Sequence, residues 1–132
     1  MTKIQGSKDC GNSPKNKFAQ DVAIALESGK AEAKIFSEDV VWSRSTDSST
    51  DGREEIMKYL ASQAKPAEIT VDHAVSHGKV GAASGEVVFA NGHRRRFCHV
   101  LEFTSAKANC ISVVQSYSWP AFPPWLGQQG GH

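Results

Sequence analysis

The sequence predicts an α+β domain in which helices pack on one face of a curved antiparallel sheet. Three observations predict it. Apolar residues recur at helical spacing in the first half, at Phe18, Val22, Ala25 and Leu26 and again at Ile56, Tyr59 and Leu60. From Ile69 the period becomes two, with Ile69, Val71, His73 and Val75 alternating with Thr70, Asp72, Ala74 and Ser76. Runs of helices followed by runs of strands make such a layered fold, and 132 residues with 39% apolar content suffice for one core.

Taken in order, residues 1–12 are polar and form a loose arm. Ser13 caps the first helix and Pro14 occupies its first position, where a missing N–H costs nothing; Gly29 ends it. Residues 31–37, with Ala33 and Phe36, form a short second helix. Residues 39–44, with Val40, Val41 and Trp42, form a strand. Residues 45–51 are small and polar, hence a loop. Asp51 and Glu54 make a capping box for a third helix, which closes before Pro66. Four meandering strands follow, the last three being residues 80–90, 94–104 and 110–119, with a two-residue turn at Asn91-Gly92. The domain proper spans 13–119. Residues 120–132 form a tail rich in proline and aromatics; its prolines bar a central strand, and its apolar side chains fold back over the domain or a partner subunit.

Fifteen basic against fourteen acidic residues give a formal charge of +1, which argues against a nucleic-acid binder. No apolar run approaches the roughly 18–20 residues of a membrane span and no signal-peptide core precedes the domain, so a cytoplasmic protein is expected. Cys10, Cys98 and Cys110 include no Cys-x-x-Cys pair, and the last two lie roughly 20 Å apart on a hairpin at ~3.3 Å per residue; reduced thiols are expected. His73 and His77 span ~13 Å on a strand and cannot share one metal. No metal or cofactor is expected. The run His93 to Arg96 is expected at a solvated edge, with Arg95 able to pair with Glu86 or hold an anionic group if it points inward.

Several strings in this order resemble the SnoaL-like and ketosteroid-isomerase-like branch of the nuclear-transport-factor-2-like superfamily. They are residues 20–29 in the first helix, 36–42 entering the first strand, 51–56 opening the third helix and 101–103 before the last hairpin. The resemblance spans roughly Ser13 to Trp119. It implies a cystatin-like cone: three N-terminal helices on a curved mixed or antiparallel sheet forming a cone-shaped barrel, with a pocket inside and dimerisation through the sheet's outer face. In the isomerase, an aspartate base works with a tyrosine and a protonated acid at the enolate oxygen, an arrangement that is a standard example of pKa tuning. Those positions fall on Ser43, Val22 and His99, so the known isomerase set is absent.

Strand alternation supplies a different set. If His99 faces inward, so do Arg95, Phe97 and Leu101, with Ser84 and Glu86 across one turn and Val113, Gln115, Tyr117 and Trp119 across the other. Val87, Phe89, Cys98, Val100, Val114 and Ser116 then form the outer face. A one-residue slip exchanges the two lists. Glu86, His99 and Tyr117 are the candidate catalytic groups, because a carboxylate in apolar surroundings beside an imidazole makes an acid–base pair. Trp42, Ser43, Ser84, Arg95, Phe97, Leu101, Val113, Gln115 and Trp119 are the candidate substrate contacts.

Two functions fit this reading. The first is a dimeric protein binding a small apolar molecule, with cofactor-free isomerase, cyclase or hydrolase chemistry through His99 and Glu86. The second is a non-catalytic ligand carrier or interaction module, in which the same polar groups satisfy one another's hydrogen bonds. A cavity of at least ~300 Å³ touching His99 favours the first.

Overall fold

The computed structural model describes residues 2–11, 13–45 and 48–121. Strand β1 (Lys3–Gln5) precedes helix α1 (Pro14–Ser28), a 3-10 turn (Ala33–Ile35), β2 (Phe36–Arg44), β3 (Ser48–Asp51), helix α2 (Arg53–Ser62), β4 (Glu68–His77), β5 (Val80–Val88), β6 (Arg94–Phe103) and β7 (Ile111–Pro120). The seven strands form one mixed sheet in the order β1-β4-β5-β6-β7-β2-β3. No helix among the described residues is long and apolar enough to cross a membrane.

The expected antiparallel meander is present from β4 to β7. Helix α1 begins as its sequence dictates: Ser13 accepts a hydrogen bond from the Asn16 N–H, and Gly29, at φ 76°, ends the helix with its N–H on the Ala25 carbonyl. Small residues on β5 let α1 lie close to the sheet. A Cβ at Gly81 would stand 2.7 Å from Phe103 Cζ and 3.4 Å from Ala19 Cβ.

Four expectations need correction. The second predicted helix is one 3-10 turn, so two α-helices rather than three lie among the described residues. The sheet is open, with β1 and β3 at its edges, not a closed cone. Residues 48–51 of the predicted 45–51 loop form β3, paired antiparallel with β2, and Asp51 accepts a hydrogen bond from Ser49 while Gly52 occupies the N-cap of α2 without a side-chain bond. The arm is tethered, since Lys3–Gln5 pairs in parallel with β4. The predicted packing of the tail from Phe122 onward lies outside the described residues.

Two apolar clusters fill the space between sheet and helices. One joins α1 and α2 to β2, β6 and β7 through Val22, Leu26, Phe36, Ile56, Leu101 and Val114. The other sets Ala23 of α1 against Ile69, Val71, Ala83, Val87 and Phe97. His99 follows Phe97 and precedes Leu101 on the inward face of β6, at the seam between the clusters.

Candidate functional site

At that seam a chain of polar groups is buried. His99 Nε2 lies 2.7 Å from Glu27 Oε2, and His99 Nδ1 lies 2.6 Å from Ser116 Oγ. Trp42 Nε1 donates to the same hydroxyl at 2.7 Å, and Arg95 Nη2 donates to Glu27 Oε1 at 2.7 Å. Glu27 is 9% and His99 3% exposed. Four elements supply the five groups: α1, β2, β6 and β7.

The donor–acceptor count closes in two ways. Trp42 can only donate, so Ser116 Oγ accepts from it. With the ring proton on Nε2, His99 donates to Glu27 and Ser116 donates to Nδ1. With both ring nitrogens protonated, Ser116 accepts from Trp42 and His99, and its own proton turns elsewhere. Burial pushes the Glu27 carboxyl up, but the hydrogen bond and charge of His99 and those of Arg95 outweigh it, holding the group below the usual carboxylate range. Phe97 stacks on His99 at 5.2 Å and fixes the ring plane.

This network forms part of the wall of a cavity of about 400 Å³ that reaches Glu27, His99, Ser116 and Trp42. Its other walls include Leu26, Tyr59 and Phe89 and the cations Arg44 and Arg95. Trp42 and Tyr59 meet edge to face at 5.2 Å. Arg44 lies 4.2 Å over the Tyr59 ring and 5.0 Å over the Trp42 ring, contacts worth about 0.5–2 kcal/mol each. Nη1 of Arg44 is shielded from solvent and meets no hydrogen-bond partner among the described residues, which costs about 1–3 kcal/mol.

Of the residues the sequence nominated, His99, Trp42, Arg95 and Tyr117 line the cavity. Phe97 and Leu101 face inward but serve the apolar clusters. Glu86 does not meet His99; it lies on the opposite face, bonded to Arg94 at 2.7 Å. Ser43, Ser84, Val113, Gln115 and Trp119 share that opposite face, whereas Val87, Val114 and Ser116, expected there, are buried within. Tyr117 follows the outward alternation and is 46% exposed, yet contributes to the cavity wall. The basic run divides as alternation requires: Arg94 and Arg96 pair outside with Glu86 and Asp72, and Arg95 turns inward to Glu27.

Both errors are errors of parity. Phe89 N donates to His93 O, so the first hairpin reverses over three residues, Ala90 to Gly92, not two, and His99 faces Ala83 instead of Ser84. A bulge shifts the last hairpin between Phe103↔Ile111 and Glu102↔Val113, which turns Ser116 inward. Glu27 was missed because a glutamate near a helix end reads as a solvated residue. The signal was there: it falls four residues after Ala23 and eight after Ala19, on the apolar stripe.

No protein-family profile and no curated protein matches the chain. Its structure is similar to solved ones. A ketosteroid-isomerase-like protein of Kribbella flavida superposes with a TM-score of 0.68 at 18% identity, covering 83% of this chain and 81% of the other. A nuclear-transport-factor-2-like (NTF2-like) protein of unknown function from Burkholderia xenovorans gives 0.67 at 20% identity, covering 86% and 91%. An LEH-like epoxide hydrolase of M. tuberculosis gives 0.59 at 15% identity, covering 80% and 82%. The chain has the NTF2-like fold, a fold whose members include isomerases, epoxide hydrolases and proteins of unknown function.

Proposed function

We propose that the cavity binds a small organic molecule and carries out cofactor-free acid–base chemistry on it, with His99 as the proton-transfer centre. The observation that supports this reading is a buried His99–Glu27 pair opening, through Ser116, on a cavity of about 400 Å³. A proton leaving the substrate passes to Ser116 Oγ as the Ser116 proton passes to His99 Nδ1. Glu27, kept ionised by Arg95, stabilises the imidazolium that results. Return of the proton to a different substrate atom gives isomerisation. Where the proton is instead taken from a water molecule or a substrate hydroxyl whose oxygen bonds to a ring carbon as the ring C–O bond breaks, its return to the released oxygen gives hydrolysis or cyclisation. Glu27 thus takes the place the sequence gave to Glu86.

The test is proton exchange. Enolisable ketones, lactones and epoxides are incubated with the protein in deuterated water and followed by NMR. At least one compound exchanges or reacts, and His99→Gln lowers that rate by roughly 10²–10⁴-fold, the usual contribution of a general acid–base group. Thermal shifts without any reaction would support the second reading, a ligand carrier. That reading draws on the fact that both ring nitrogens of His99 already have protein partners.

Pairing with a second copy through the face opposite the helices belongs to the same proposal. That face exposes Val75, Val80, Tyr117 and Trp119. Sedimentation equilibrium at micromolar concentration would give twice the 14.3 kDa chain mass, and a monomer there would refute it.

A further inference from the structure

Arg44 stands apart from the other arginines of the chain. Arg53 pairs with Glu38, Arg94 with Glu86, Arg95 with Glu27 and Arg96 with Asp72. Among the described residues no carboxylate meets Arg44. Its Nη2 donates to the neutral Thr50 hydroxyl at 3.0 Å, and its Nη1 is the one buried side-chain nitrogen or oxygen there without a hydrogen-bond partner. The guanidinium lies over the rings of Tyr59 and Trp42, which hold its plane in the cavity wall.

The charge of the cavity follows. Among the described residues its wall carries two arginines and one glutamate, and Arg95 already answers Glu27. One positive charge is left over, at Arg44. A guanidinium in this setting matches a carboxylate by two parallel hydrogen bonds.

Resting on the reading of the cavity as a ligand site, we infer that its ligand is an organic monocarboxylate, with the carboxylate bound by Arg44 and an apolar body against Trp42, Tyr59 and Leu26. A single negative charge neutralises the surplus, whereas a dianionic phosphate monoester would leave the cavity negative beside Glu27. Anchoring the acid at Arg44 leaves the rest of the molecule to face Ser116 and His99. Arg44 is therefore a binding and specificity residue, distinct from the proton-transfer groups.

The test is calorimetric titration of the full chain, at low ionic strength, with 2-naphthoate, cinnamate and decanoate, each set against its own primary amide. At least one acid binds tenfold or more tightly than its amide. Arg44→Gln abolishes that preference, and His99→Gln preserves it. The wild-type comparison needs no variant, so a misfolded Arg44→Gln protein cannot rescue the idea. Amides that bind as well as the acids overturn the inference and leave the ligand cavity standing. If neither acids nor amides bind, the inference and the cavity reading fall together. A preference that survives Arg44→Gln but disappears in His99→Gln also overturns it, by moving the anion to the other end of the cavity.

Discussion

His99 Nε2 and Glu27 Oε2 lie 2.7 Å apart although 72 residues of chain separate them. The contact joins the last turn of α1 to the middle of β6, so the helix and the sheet share one buried ion-pairing site. Its disruption should be felt by the fold as well as by any chemistry.

Removing the carboxylate tests the first of these. Glu27→Ala leaves His99 and Arg95 facing a gap in the seam, and urea unfolding should show a loss of about 3–5 kcal/mol. The Glu27→Ala/His99→Ala double variant should lose less than the sum of the two single changes. Strict additivity would mean the two side chains contribute independently.

Acid should weaken the fold through the same carboxylate. Glu27 is held below its ordinary range, so its contribution is fully present above the unfolded value of about 4.3 and is lost as pH falls through the lower folded value. The urea midpoint should therefore decline below about pH 4.3, and Glu27→Gln should flatten that decline. Asp9, also held low by His73 and the Ala74 N–H, acts in the same direction, and Asp9→Asn separates its share. An unchanged slope in Glu27→Gln would place the acid sensitivity elsewhere.

Ser116 is the hinge of the polar chain. Ser116→Ala deprives Trp42 Nε1 and His99 Nδ1 of a partner at once. Equilibrium unfolding should show a cost of about 1–3 kcal/mol. A cost below about 0.5 kcal/mol would show that cavity water replaces the hydroxyl.

The backbone imposes its own limit at Gly85. A Cβ there would stand 2.0 Å from the Thr70 carbonyl oxygen and 2.9 Å from Phe97 Cζ. Gly85→Ala should destabilise by about 3 kcal/mol or abolish soluble expression, since overpacking at rigid backbone has no soft neighbour to move. Near-native stability in urea unfolding would show that β4 shifts freely beside its irregularity at Val71 and His73.

The sequence was legible wherever one local rule decides. Ser13, Pro14 and Gly29 bound α1, and alternation at Ile69 and Val71 places the start of the meander. An irregularity between Val71 and His73 then turns Ala74 inward and Val75 outward, against the expected period. The inward turn of Arg95, Phe97, His99 and Leu101 was legible too, because it depends on one strand alone. What crossed a turn was not. One extra residue in the Asn91-Gly92 reversal and one bulged residue near Ser112 each reverse which side chains share a face, and neither leaves a mark in periodicity. So Glu86 stood in for Glu27, and Ser116 was placed on the outer face of the sheet. β3 was hidden by its composition: Ser48, Ser49, Thr50 and Asp51 carry no apolar face, and β2 alone recruits them.

The hydrogen bond from Trp42 to Ser116 also makes the protein its own optical sensor. Trp42 is 4% exposed and forms part of the cavity wall, whereas Trp119 is 49% exposed on the far side of the sheet. Indole emission moves with the polarity around the ring and with what its N–H meets. With the third tryptophan removed by Trp125→Phe, a collisional quencher confined to water silences Trp119 first, and the light that remains from Trp42 reads occupancy of the cavity without any label.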